Sequence, residues 1–199
     1  MKKQIDIRFI ALLAIIMFLG IWRIIIVQNE DNTWMNFSPL GAMALFGGVY
    51  FSNRAKSFIF PLLILLVSDI IVMQTVYSQY ASGLLYNGWY WTYGSFALMV
   101  LLAELFKRKV TVGSVFLMSI LAALIHYVVT DFGVWLGGGR DITTGLPYTK
   151  DWAGLAKCYI LALPYLKSLL LGNLIFSAVL FGGFELAQYK FPALKLSKS

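Results

Sequence analysis

The chain contains one histidine and one cysteine among 199 residues. A single cysteine excludes an intramolecular disulfide, and a single histidine leaves no imidazole pair for a metal site. No G-x-S-x-G, H-E-x-x-H or Walker sequence occurs. "HYVVTD" matches an H-x4-D pattern, but five residues turn a helix by about 140°, so His126 and Asp131 would not share a face. Charge is also scarce, at 13% of the chain. What fills the sequence instead is apolar: 60% of residues are hydrophobic. They come in blocks of roughly 18 to 20, the length at which an α-helix crosses a bilayer core. The expectation is an all-α membrane protein, a single integral domain over residues 1–199, with no enzymatic activity and no cofactor. The formal charge of +7 flanks the apolar blocks, which assigns it to membrane topology and not to nucleic acid.

Six spans fit the hydropathy: Phe9–Val27, a short Pro39–Phe51, Phe58–Val76, Trp89–Phe106, Val112–Thr130 and Leu169–Gln188. "MKKQIDIRFIALLAIIMFLGIW" has a basic start and a run too long for a signal-peptide core, so it reads as a retained first helix. Lys2, Lys3 and Arg8, Arg54 and Lys56, Lys107 to Lys109, and Lys190, Lys195 and Lys198 fall on one side of a six-span chain. That side is the cytoplasm by the positive-inside rule, which puts both termini inside a bacterial cytoplasmic membrane. All six tryptophans fall near the outer boundary. The long last outer loop, Asp131 to Ser168, begins Gly-rich and continues "WAGLAKCYILALPYLKS". Lys157, Lys167 and Pro164 make that piece too polar and broken for a seventh span, and it reads as an interfacial or re-entrant helix before the last one.

Ionisable and amide groups at membrane depth usually face a cavity or a partner. Arg23, Asp69, His126 and Asn173 each lie within seven residues of the outer end of their span. Asp131 stands at the mouth of span 5, and Asn36 opens span 2. At about 1.5 Å per residue all sit within roughly 10 Å of the outer boundary. Only Glu104 and Glu185 lie near the inner one, where they read as ordinary interfacial charges. This asymmetry suits a cup open to the outside better than a continuous channel. Each group also has a plainer role open to it: Arg23 with Asp69 as an ion pair between spans 1 and 3, His126 and Asn173 as helix-packing residues, Asp131 as a loop cap.

"NFSPLGAMALFGG" sharpens the question. Asn36 or Ser38 can cap a helix whose first turn holds Pro39. Gly41, Ala42, Ala44, Gly47 and Gly48 let neighbouring helices approach closely. A short span 2 would leave "TWMNF" dipping into the cup, with Trp34, Asn36 and Phe37 as ligand contacts, and the "WLGGGRD" loop after Trp135 would hinge at Gly137 to Gly139 as its gate. The alternative is a tightly packed helix with an ordinary cap.

An Arg late in span 1, "NFSPLGAMALFGGVYF", "LLVSD", "DFGVWL" and "YTKDWAGLAKCYILALPYLKSLLLGNLIFSAVLFGGFE" together resemble a family of uncharacterised bacterial membrane proteins. That family is similar to the substrate-binding S components of energy-coupling factor (ECF) vitamin transporters. The resemblance implies a vitamin or related micronutrient bound from the outer side, with a corrinoid among the candidates. It also implies a transmembrane coupling partner with ATPases. The substrate-contacting set would be Arg23, Trp34, Asn36, Phe37, Asp69, His126, Asp131, Trp135 and Asn173. By analogy with cobalamin-specific relatives, Cys158 is a candidate metal ligand. Two positions depart from the pattern. The Ala-x-x-x-Ala of the first helix is absent, since Ala11 is followed by Ile15 and Ala14 by Phe18, and Asn173 stands where an acidic residue is expected. The rival reading is a structural or assembly protein of the membrane with no small ligand.

Overall fold

The computed structural model describes residues 6–27, 37–107 and 110–195, which form six α-helices and one small hairpin. Helix α1 is Ile7–Val27, α2 Leu40–Tyr50, α3 Arg54–Gln74, α4 Trp89–Phe106, α5 Val112–Leu136 and α6 Trp152–Lys190. Helices α1, α3, α5 and α6 are long and apolar enough to cross a membrane. Helix α4, which opens on the polar-aromatic "WYWTYGS", is not among them, and α2 is shorter.

Helix α2 is the axis of the bundle. All 11 of its residues are buried, and it packs against each of the other five helices. Small residues make this possible. A Cβ at Gly47 would run into the Pro61 ring of α3, and one at Gly48 into Ala103 of α4. The close-packing role read from "LGAMALFGG" therefore holds, and the helix has no outward face at all. Its large side chains lock into an aromatic knot. Phe46 meets Phe184 edge-on at 5.3 Å, and Tyr50 meets the same ring at 4.6 Å. At about 1.5 Å per residue α2 is only about 16 Å long, roughly half the thickness of a bilayer core.

The helices run alternately, so one end of the bundle gathers the start of α1, the end of α2, the start of α3, the end of α4, the start of α5 and the end of α6. This end carries Arg8, Arg54, Lys107 and Lys190, and is called the basic end below. Asn53 caps α3 by accepting from Ala55 N and Lys56 N. Thr111 and Ser114 form a reciprocal capping box at the start of α5.

Two segments differ from the sequence expectation. "WAGLAKCYILALPYLKS" is not a separate interfacial helix. It is the first part of the continuous 39-residue α6. That helix is about 58 Å long against about 30 Å of hydrocarbon, so its first turns project beyond the membrane-crossing part. There, Lys157 reaches the carboxylate of Asp141 in the preceding loop, and exposed Pro164 turns its ring away from the bundle. The break expected from these residues is absent because their polar and irregular features lie on the open face. The second difference is the α3–α4 loop. It holds a two-residue-turn hairpin, β1 (Ala81–Ser82) against β2 (Leu85–Tyr86), with Gly83 at φ 86°. A positive φ at the first turn residue is what a tight hairpin of this kind requires.

Candidate functional site

The sequence places a cluster of polar groups in the half of the bundle opposite the basic end, and the structure gives those among the described residues definite neighbours. Arg23 Nη2 of α1 lies 2.5 Å from Asp69 Oδ1 of α3. Its Nη1 donates to Ser68 Oγ at 2.7 Å, and Tyr93 of α4 donates its hydroxyl to Asp69 Oδ2 at 3.0 Å. One carboxylate thus ties three helices together. The Asp69 side chain is 2% exposed, but Arg23 keeps 15% of its surface open. Strand β2 of the hairpin packs against α3, and burial, then the Asp69 charge, push its Tyr86 phenol up to about 12. The pairing of Arg23 with Asp69 holds, and Ser68 and Tyr93 join it. Their spacing in sequence carried no signal of that.

The other expected residues do not join it. His126 of α5 faces α4, where its Nδ1 is 2.9 Å from Ser95 Oγ, with the ring edge-on to Phe96. Ser95 also donates to Thr92 O at 2.7 Å, which leaves Nδ1–H of His126 as the donor to Ser95. Asn173 of α6 is fully buried at the start of α2. A Cβ on Gly41 would overlap its side-chain oxygen. Its Nδ2 donates to Ser119 O at 3.4 Å, while Oδ1 and the neighbouring Ser177 hydroxyl have no hydrogen-bond partner among the described residues. Phe37 stacks at 5.4 Å on Phe176, beside Ser38, whose backbone crosses Gly172. Ser38 accepts from Leu40 N at 3.4 Å, a weak version of the expected cap. Trp34 and Asn36 lie outside the described residues.

Asp131, Trp135 and Cys158 gather at the junction of α5, its following loop and α6. Cys158 is buried and its thiol donates to Asp131 O at 3.5 Å. No three His, Cys, Asp or Glu side chains converge among the described residues. Trp135 Nε1 donates to Thr149 O at 2.8 Å, and Lys150 lies over its ring while donating to the final carbonyls of α5 at Trp135 and Leu136. A cation at a helix C-terminus is favourably placed against the dipole. Loop 137–151 is therefore tied down. Asp141 N donates to Leu146 O at 2.8 Å and Tyr148 N to Gly139 O at 3.0 Å. The ion pair with Lys157, and then the hydrogen bonds from Thr143, hold the Asp141 carboxyl well below its ordinary range. Within the expected hinge, only Gly138 takes a positive φ, of 79°, and Gly139 closes on Val134. The glycine run serves as the end-turn of α5 and not as a free hinge.

One cluster went unread in the sequence, at the basic end. Arg8 is buried beside α2 and α6. Its Nη1 donates to Gln188 Oε1 at 2.9 Å and to Leu194 O at 2.5 Å, and its Nη2 to Tyr50 O at 2.9 Å. Tyr50 donates its hydroxyl to Glu185 Oε1 at 2.6 Å. Glu185 is therefore a partner of the bundle axis rather than an ordinary interfacial charge. Beside this cluster a cleft of about 450 Å³ opens between the start of α5 and the end of α6, bordered by Val115, Phe116, Ala178, Phe181 and Glu185. It stands at the opposite end from the expected cup.

No curated protein and no solved structure matches the chain. The match that covers nearly all of it, residues 3–194, is to a family of unknown function, DUF6580, and the chain belongs to that family.

Proposed function

We propose that the protein is a six-span membrane protein with both termini in the cytoplasm, which binds a vitamin or related micronutrient from the outer side for uptake. In this reading it resembles the S components of ECF-type transporters and works in the bacterial cytoplasmic membrane, with a coupling partner that supplies energy. One observation carries the reading: the Arg23–Asp69–Tyr93 cluster lies at membrane depth, away from the basic end, and Arg23 remains partly open there. A charge kept open in that setting is a functional residue by default. The short axis supports it further. Helix α2 begins at the level of Asn173, so it fills only the half of the bundle nearer the basic end. Binding requires no bond-making chemistry, which suits the scatter of the ionisable groups.

The rival reading is a structural or assembly protein. It is favoured by the internal pairing of the candidates: Arg23 with Asp69, His126 with Ser95 and Trp135 with Thr149. Native mass spectrometry with an absorbance spectrum, on protein purified gently from its own host, separates the two. A stoichiometric small molecule, lost in Arg23→Ala but present in the wild type, supports binding, and a corrinoid spectrum would bring in Cys158. Protein that carries no ligand and takes none up from a panel of vitamins supports assembly. Retained affinity in folded Arg23→Ala removes Arg23 from the site.

A further inference from the structure

The cleft at the basic end has the features of a lipid site. It lies between α5 and α6, both long and apolar enough to cross a membrane. Val112 and Phe116 on its α5 rim are 91% and 56% exposed. On the α6 side its wall is Leu174, Ala178, Phe181 and Gly182. Its volume of about 450 Å³ falls in the usual range of small-ligand pockets, about 300–1,000 Å³. A cleft between membrane-crossing helices opens sideways to hydrocarbon, and an acyl chain is what that medium supplies to an apolar wall.

The polar end of the cleft is bordered by one charged side chain, Glu185, and by the first turn of α5. Glu185 is exposed there, and its two hydrogen bonds, from Tyr50 and from Gln188, both end on Oε1. Oε2 has no hydrogen bond among the described residues. On the other side stands the first turn of α5. The capping box and the helix ladder engage the N–H groups of Thr111, Ser114 and Val115. Those of Val112 and Gly113 remain outside the helix ladder at the positive end of the dipole. A carboxylate and a helix start bordering one cleft complement a head group that carries an ammonium next to a phosphate. We propose that this cleft holds one aminophospholipid of the adjoining leaflet, with an acyl chain between α5 and α6, its ammonium on Glu185 and its phosphate at the first turn of α5. The proposal is independent of the micronutrient reading.

The test is native mass spectrometry of the full chain released from micelles doped with dioleoyl phosphatidylethanolamine, phosphatidylcholine or phosphatidylglycerol. One phosphatidylethanolamine should be retained per chain, on the order of tenfold over either alternative, equivalent to about 1.4 kcal/mol. The choline head group cannot donate a hydrogen bond and the glycerol head group has no cation. Gly182→Leu should abolish retention in folded protein, because nothing lies within 4 Å of a Cβ there and the new side chain enters open cleft. Glu185→Gln keeps an acceptor for Tyr50 and should erase the preference for ethanolamine. Equal retention of the three lipids overturns the proposal, as does retention unchanged in Gly182→Leu. A lipid-free dimer that Gly182→Leu dissolves would also overturn it, and would make the cleft a helix-docking face.

Discussion

Removing the Asp69 carboxylate tests whether the Arg23 cluster is what holds α1, α3 and α4 together in the half of the bundle away from the basic end. In Asp69→Ala the Arg23 guanidinium keeps, among the described residues, only Ser68 as a hydrogen-bond partner, and the Tyr93 hydroxyl loses its acceptor. Cutting one side of a buried ion pair costs about 3–5 kcal/mol, because the surviving charge stays in a poor solvent. Arg23 keeps 15% of its side chain open, and water reaching it places the cost near the low end, about 3 kcal/mol. For a chain of this size, each kcal/mol moves the melting temperature by about 2–4 °C. The expected drop is therefore about 10 °C. Cys158, the chain's one cysteine, is 3% exposed, so a thiol-reactive fluorophore reports unfolding in detergent directly. The double variant Arg23→Met/Asp69→Leu should recover most of the loss, since apolar side chains of similar size replace a buried pair at little cost or with some gain. Two results would refute the reasoning: a drop under about 3 °C in Asp69→Ala, or a double variant as unstable as the single.

Three further outcomes follow from the geometry. Gly41→Ala should destabilise the fold by about 1–3 kcal/mol through its overlap with the Asn173 side chain. Asn173→Ala in the same chain should restore stability, and a pair of melting curves that simply add would count against the contact. Arg8→Lys should free the segment after α6 almost as fully as Arg8→Ala, because an ammonium cannot serve Tyr50 O, Gln188 Oε1 and Leu194 O together. Tryptic cleavage after Lys190 reads this, and an unchanged rate in both variants would exclude the clamp. The depressed Asp141 carboxyl means that the folded state favours the ionised form, so its contribution is complete above about pH 4, the ordinary carboxylate range, and is lost as pH falls below it. Amide protection at Gly145 and Tyr148, corrected for intrinsic exchange, should stay flat from pH 7 to 5 and fall below about 4. A fall between pH 7 and 5, or the same acid profile in Asp141→Asn, would disprove the assignment.

Much of the helical frame was legible because hydropathy and helix length point the same way in a membrane-type sequence. The span Trp89–Phe106 coincides with α4, and Pro39–Phe51 differs from α2 by one residue at each end. The errors lie where a helix outlasts its apolar stretch. Helix α3 starts at Arg54, four residues before the expected Phe58, because Asn53 caps a charged first turn. Helix α5 runs on to Leu136, past the expected Thr130, and stops only where the Gly137 turn and Lys150 close its carbonyls. Helix α6 begins seventeen residues before Leu169, since Asp151 caps it through Gly154 N. Hydropathy measures what lipid tolerates, and these ends are set by caps instead.

The polar groups were legible as a list and not as a map. Depth along each span follows from counting residues, which is why Arg23 and Asp69 were found at one level. Azimuth depends on how each helix is rotated by its packing, and that is decided by close contacts such as Gly41 on Asn173 or Gly133 on Trp91. Hence His126 turned to Ser95 of α4 and Asn173 to the start of α2, although counting residues had put both near the level of the Arg23 cluster. The same limit hid Arg8. In sequence it is one more positive residue before an apolar run, and the positive-inside rule accounts for it fully. In the structure it is buried because its guanidinium turns inward to meet the Tyr50 carbonyl at the end of α2, Gln188 of α6 and the Leu194 carbonyl beyond it. The short axis thus lies between the two arginines of α1: Arg8 meets the Tyr50 carbonyl at its end, and Arg23 pairs with Asp69 of α3 beyond its start.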